Sequence, residues 1–149
     1  MKDCGKCALC CKLIEVTGLA VAGEWCPNCE PGRKGGGCTV HSVRPEQCSN
    51  WHCFWRAEEW PDHLRPDRCK VIFEALPDVL TILVSVDTHR PDAWKNKEVL
   101  EVIEKLRKKG RPLVLKTKND SKMFLPKGWS QQRVLQDIKQ VMSCKEKNK

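Results

Sequence analysis

The clearest hydrophobic pattern lies in the second half of the chain. VLTILVSV at 79–86 is a near-continuous apolar run that predicts a buried strand, followed by a turn at Thr88-His89-Arg90-Pro91. A helix is expected next, capped by Asp92 or Asn96, because Val99, Val102, Ile103 and Leu106 recur at i, i+3, i+4 and i+7. Its end is well marked. Lys105, Arg107, Lys108 and Lys109 complement the C-terminal dipole, Gly110 suits the left-handed C′ position, and Pro112 stops continuation. Residues 113–116 and 123–125 predict two short strands joined through Asn119-Asp120. Ser130 then caps a last helix on which Val134, Ile138, Val141 and Met142 share a face, with Trp129 placed to pack on Val134. The tail KEKNK at 145–149 is expected to fray.

The first half has no comparable periodicity. LIEV at 13–16 is consistent with a short strand or a helical turn, and EPGRKGGG at 30–37 reads as a loop by its glycines. Residues 4–69 hold ten of the 11 cysteines and four of the six tryptophans, so the region is expected to need a staple. Chelation would supply one, since metal bound only by the folded form adds its binding free energy to folding. The expected architecture is α+β: an irregular, metal-stapled cysteine-cluster region at 1–69, packed on a small β-sheet with two C-terminal helices at 70–149, the two forming one compact unit.

Composition bears on where such a chain works. No apolar signal region opens it, and residues 79–86 are too few to span a bilayer, so a soluble cytoplasmic protein without membrane contact is expected. In reducing cytosol, clustered cysteines favour metal over disulfides. Cys4-x-x-Cys7 and Cys26-Pro-Asn-Cys29 both have the CxxC spacing that lets two thiolates reach one tetrahedral ion from a tight turn. With Cys10, Cys11, Cys38, Cys48 and Cys53 they make nine candidate ligands. His41, His52 and Cys69 are further candidates.

Adjacent Cys10 and Cys11 would point to opposite sides of an extended segment, so the pair is expected to serve two metals or to lie between two sites. More than one zinc ion is therefore the expectation. An iron–sulfur cluster is the alternative: Cys4-x-x-Cys7-x-x-Cys10 matches the start of the bacterial ferredoxin run, but 15 residues separate Cys10 from Cys26 where that motif allows three.

These residues carry a resemblance. Cys4-x-x-Cys7-x-x-Cys10-Cys11, then GEWCPNC, then Gly37-Cys38-Thr39-Val40-His41, Arg44-Pro45-Glu46-Gln47-Cys48 and Cys53 resemble the CxxCxxCC family of zinc- or iron-chelating proteins over about residues 4–55. The resemblance implies chelation. Two departures are His41, where an aromatic is more usual in that family, and His52 directly before the closing Cys53.

Other chemistries are weaker. Gly32 and Gly37 have a phosphate-loop spacing, but Cys38-Thr39 follows where Lys-Ser/Thr is required. The net charge of +8 counts neutral thiols; eight thiolates holding two zinc ions change it by −4, to roughly +4, which weakens a nucleic-acid role. The tryptophans are expected to cover the metal site. The reading is a metal-binding protein in a structural, storage or delivery role, without a catalytic residue to name. An iron–sulfur redox protein or metalloenzyme, and a zinc-stabilised module that binds protein or nucleic acid, are the competing classes.

Overall fold

The computed structural model describes residues 1–33 and 36–147, and side chains up to residue 143. Residues 34 and 35 of the expected glycine-rich loop, residues 148 and 149 of the tail, and the side chain of Cys144 lie outside what is described. The class is α+β. Four strands, β1 (Val71–Ala75), β2 (Ile82–Val86), β3 (Leu113–Lys116) and β4 (Ser121–Phe124), form one sheet in the order β1-β2-β3-β4. β1 and β2 are antiparallel, β2 and β3 parallel, and β3 and β4 antiparallel.

The parallel step follows from the chain between β2 and β3, which contains the helix α5 (Lys97–Lys108). Two parallel neighbours need such a crossover, and a helix with one apolar face lies well against a sheet. Val99 and Ile103 of α5 are fully buried, in one cluster with Val84, Leu113 and Leu115. The helix ends as its sequence demands. Gly110 has φ +79°, its N–H donates to the Arg107 carbonyl, and the Arg111 N–H donates to the Leu106 carbonyl, the paired closure that a left-handed C′ glycine permits. Asn96 occupies the N-cap, though its side chain makes no capping bond.

β3 and β4 form the expected hairpin, closed by the Thr117 N–H donating to the Asp120 carbonyl at 2.9 Å. The last helix, α6 (Gln131–Lys147), is capped at Ser130, whose Oγ accepts from the Arg133 N–H at 3.2 Å. Val134 and Val141 are buried, but Met142 is 63 % exposed and does not join their face against the core. Trp129 carries the Arg133 guanidinium 3.9 Å from its ring centroid. The helical backbone runs on to Lys147, into the tail expected to fray.

β1 is the strand that the sequence reading misses. Val71, Ile72 and Phe73 are at most 4 % exposed, and the strand sits directly after the cysteine-rich region. That region is built from short helices: α1 (Cys10–Leu13), α2 (Glu46–Asn50), α3 (Phe54–Ala57) and α4 (Pro66–Cys69). Leu9, Leu13, Phe54, Trp55 and Leu64 from this half belong to the same buried cluster as the strand residues. Trp60 bridges the halves, its ring 5.6 Å from Phe54 and 5.2 Å from Phe73. Among the described residues, no helix is long and apolar enough to cross a membrane.

Candidate metal centre

Each CxxC unit is a tight turn. The Cys7 N–H donates to the Cys4 carbonyl at 3.0 Å and the Cys29 N–H to the Cys26 carbonyl at 2.9 Å, which brings the two residues of each pair close together. The second turn is held against the first. The Cys26 N–H donates to the Cys11 carbonyl at 2.7 Å, and Cys29 and Cys38 face each other in an isolated antiparallel bridge. Gly37 is required beside that bridge: a Cβ there would lie 2.5 Å from the Ala8 Cβ and 3.3 Å from the Cys29 Sγ. The third element arrives through Gln47, whose side chain donates to the Glu15 carbonyl at 2.7 Å and accepts from the Thr17 N–H at 3.2 Å. This brings α2, with Cys48, over the loop that follows α1.

The result is one cavity of about 350 Å³. Cys4, Cys7, Cys10, Cys11, Cys26, Cys38, Cys48 and Cys53 line it, and Cys29 adjoins it through Cys11. His41 and His52 line it too, together with Arg44 and Arg56. Apolar walls come from Ile14, Trp51, Trp55 and Ile72, so the cavity floor is continuous with the sheet. Cys69 stands apart. It is buried, and its thiol donates to the Leu64 and Val71 carbonyls at 3.4 and 3.3 Å.

Cys10 and Cys11 begin α1 and are not extended. Neighbours on a helical turn diverge by about 100° where strand neighbours diverge by 180°, so both sulfurs reach the same cavity. The Cys10, Cys11 and Cys29 thiols influence one another's ionisation. Donation from the Cys10 thiol holds Cys11 well below the usual thiol range, and the same contact together with burial pushes Cys10 far up. Burial, then the Cys11 charge, raises Cys29. Burial likewise pushes Cys7 to about 11 and raises Cys4, Cys48 and Cys53, with Arg56 and Arg44 opposing the rise at Cys4.

The two guanidiniums differ in how they are used. Arg56 donates from Nε to the Lys2 carbonyl at 2.8 Å and lies 3.3 Å from His52 Nδ1. Arg44 contacts His41 Nε2 through Nη1, but its buried Nε has no hydrogen-bond partner among the described residues. A buried guanidinium donor left over beside a nest of thiols suits an acceptor that is thiolate rather than thiol. The donor set therefore fits a thiolate-bound metal. The sulfurs do not yet form a closed polyhedron: among the described residues, no three His, Cys, Asp or Glu side chains stand as a ready-made metal-binding group. Among the described residues, the segment from residue 14 to residue 45 contains no helix or strand longer than one turn, so Cys26, Cys29 and Cys38 sit on loops.

Sequence reasoning nominated the eight cavity thiols and Cys29, but not the clamp behind them. Lys12, next to Cys11, is 2 % exposed and donates to Asp87 Oδ1 at 2.5 Å, joining α1 to the residue that follows β2. Nothing in the local pattern marks Lys12 as buried, since lysine is normally a solvent-facing residue and its partner lies far along the chain. Compared with known proteins, the chain matches no family model, no curated protein and no solved structure.

Proposed function

We propose that this chain is a metal-binding protein holding a multinuclear, cysteine-ligated zinc site in a structural, storage or delivery role. The observation that carries the reading is the convergence of eight thiols on one cavity, with Cys29 beside them. The resemblance to the CxxCxxCC chelating family over residues 4–55 supports it. Cys4, Cys7, Cys10, Cys11, Cys26, Cys29, Cys38, Cys48 and Cys53 are the proposed ligands, with His41 and His52 at the cavity wall as additional donors. A bound divalent ion would supply the positive charge that lets these thiols ionise, and it would stabilise loops that have little secondary structure of their own.

Most of the cavity thiols are held protonated by burial, so loading releases protons and affinity falls as pH is lowered. Such a site belongs in a reducing compartment, and we place the chain in the cytoplasm. A protein that supplies or receives metal is the partner class, rather than nucleic acid.

Iron, as an iron–sulfur cluster, is the second reading. The Cys4-x-x-Cys7-x-x-Cys10 spacing favours it, and a cavity of about 350 Å³ has room for a cluster as for several zinc ions. Elemental analysis with an absorption spectrum, on protein purified anaerobically without added metal, separates the two. More than one zinc per chain and no visible absorption is expected. Iron with a visible band would move the reading to a cluster, and a protein that neither carries nor takes up either metal would end both.

A further inference from the structure

We infer that one face of α5, with the segment 54–64 beside it, is the contact surface of a symmetric dimer: the groove between them receives the same helix of a second copy of this chain. The groove has a volume of about 640 Å³. It shares no lining residue with the cysteine cavity, so a partner seated in it leaves the candidate metal centre open. Its floor is apolar. Phe54 and Leu64 are buried there, while Trp60, Val102 and Leu106 are only partly covered.

The charges on the rim select the partner. On the α5 side, Glu98 and Glu101 line the half nearer the helix N-terminus, and Lys105 and Lys109, followed by Arg111, line the half nearer its C-terminus. Acid and base are fully segregated along that wall. The opposite wall adds Glu58 and His63. Among the described residues Glu98, Lys105 and Lys109 make no ion pair, and Glu101 makes only a 4.0 Å contact with exposed Lys97. These side chains are therefore available to a partner.

The pattern that fits is this helix turned end for end. A two-fold axis crossing the middle of α5 near Val102 sets two copies antiparallel, so that Glu101 of one protomer meets Lys105 of its partner and Glu98 meets Lys109. Each such contact occurs twice, because a two-fold interface uses the same patch on both subunits. The antiparallel arrangement also places each helix N-terminus beside the partner's C-terminus, where the dipoles attract. Val102, Leu106 and Trp60 of both protomers then cover one another, and a partly exposed tryptophan in an apolar groove is the kind of side chain that anchors an interface. A uniformly acidic or uniformly basic partner would match one end of the groove and be repelled at the other.

Sedimentation equilibrium on the full-length protein, kept reduced, tests this. A monomer–dimer equilibrium that weakens with added salt is expected. Glu101→Lys and Lys105→Glu are each expected to weaken the dimer about tenfold or more, since each reversal turns two attractive contacts into two repulsive ones, while circular dichroism and metal content stay as in the wild type. Both changes in one chain restore opposite signs across the axis and are expected to restore the dimer. Mixing the two single variants should do the same through a heterodimer, whereas a variant that merely failed to fold would be rescued in neither way. A dimer indifferent to both reversals, or a double variant no better than the singles, would overturn the inference. A wild type that stays monomeric at every concentration would overturn it too, and would leave the groove to a different chain.

Discussion

Lys12 shows how a single side chain connects the candidate metal centre to the scaffold. Its ammonium group lies 2.5 Å from Asp87 Oδ1 and 2.6 Å from His89 Nδ1, with the Trp25 ring centroid at 5.6 Å. Burial raises the Asp87 carboxyl, but the Lys12 hydrogen bond and charge, together with the His89 N–H, more than reverse this and hold it below the usual range. A depressed carboxylate contributes stability that is present above the unfolded value of about 3.9 and is lost as pH falls through the folded value. Removing one partner strands the other charge in the interior. Asp87→Asn is therefore predicted to cost about 3 kcal/mol at pH 7, read from the urea midpoint, with the gap to the wild type narrowing in acid as Asp87 is protonated. A gap that stays constant from pH 7 to pH 2 would show that the cost does not come from losing the Asp87 charge.

At the scale of elements, α5 illustrates how completely local chemistry can specify a helix and its boundary. Its apolar stripe buries Val99 and Ile103, its last turn is basic, and Gly110 closes it in a conformation that a Cβ resists. Gly110→Ala has open space around its new methyl group, so only backbone strain should be felt. The predicted loss is about 1 kcal/mol, seen as a lower thermal midpoint with unchanged metal content. No change in the midpoint would mean that the left-handed residue is not needed to end the helix. α1 is the contrasting case. It has four residues and no side-chain cap, yet it orients Cys10, Cys11 and Lys12 together. Its stability must come from Leu9 and Leu13 in the core and from the Lys12 clamp, because an isolated turn that short does not hold in water.

Considered as a whole, the molecule has one core that serves two halves of different character. The strands carry their own hydrogen-bonded ladder, whereas the cysteine loops are pinned at their ends by Leu13, Phe54 and Trp55 and depend on the cavity between. Stripping metal with a strong chelator should therefore loosen part of the chain and not all of it. Hydrogen exchange followed by mass spectrometry is predicted to speed up across residues 14–50, while β1, β2 and β3 stay protected. Equal acceleration throughout would make the metal a determinant of the whole fold, and no acceleration anywhere would remove its stapling role.

Much of this was written into the chain locally. The strand expected at 79–86 and formed at 82–86, α5, the β3–β4 hairpin and the cap of α6 each depend on residues within one turn or one strand of each other, and spacing reveals them. The cysteine spacings likewise nominate every thiol that meets in the cavity. Other features arose only when distant segments met. β1 becomes a strand beside β2, the Gly37 backbone must pass close to Ala8, and Lys12 is buried because Asp87, 75 residues away, receives it. Periodicity reports forces between near neighbours, whereas the cost of burying a charge and the meeting of distant thiols at one cavity depend on which parts of the fold come together.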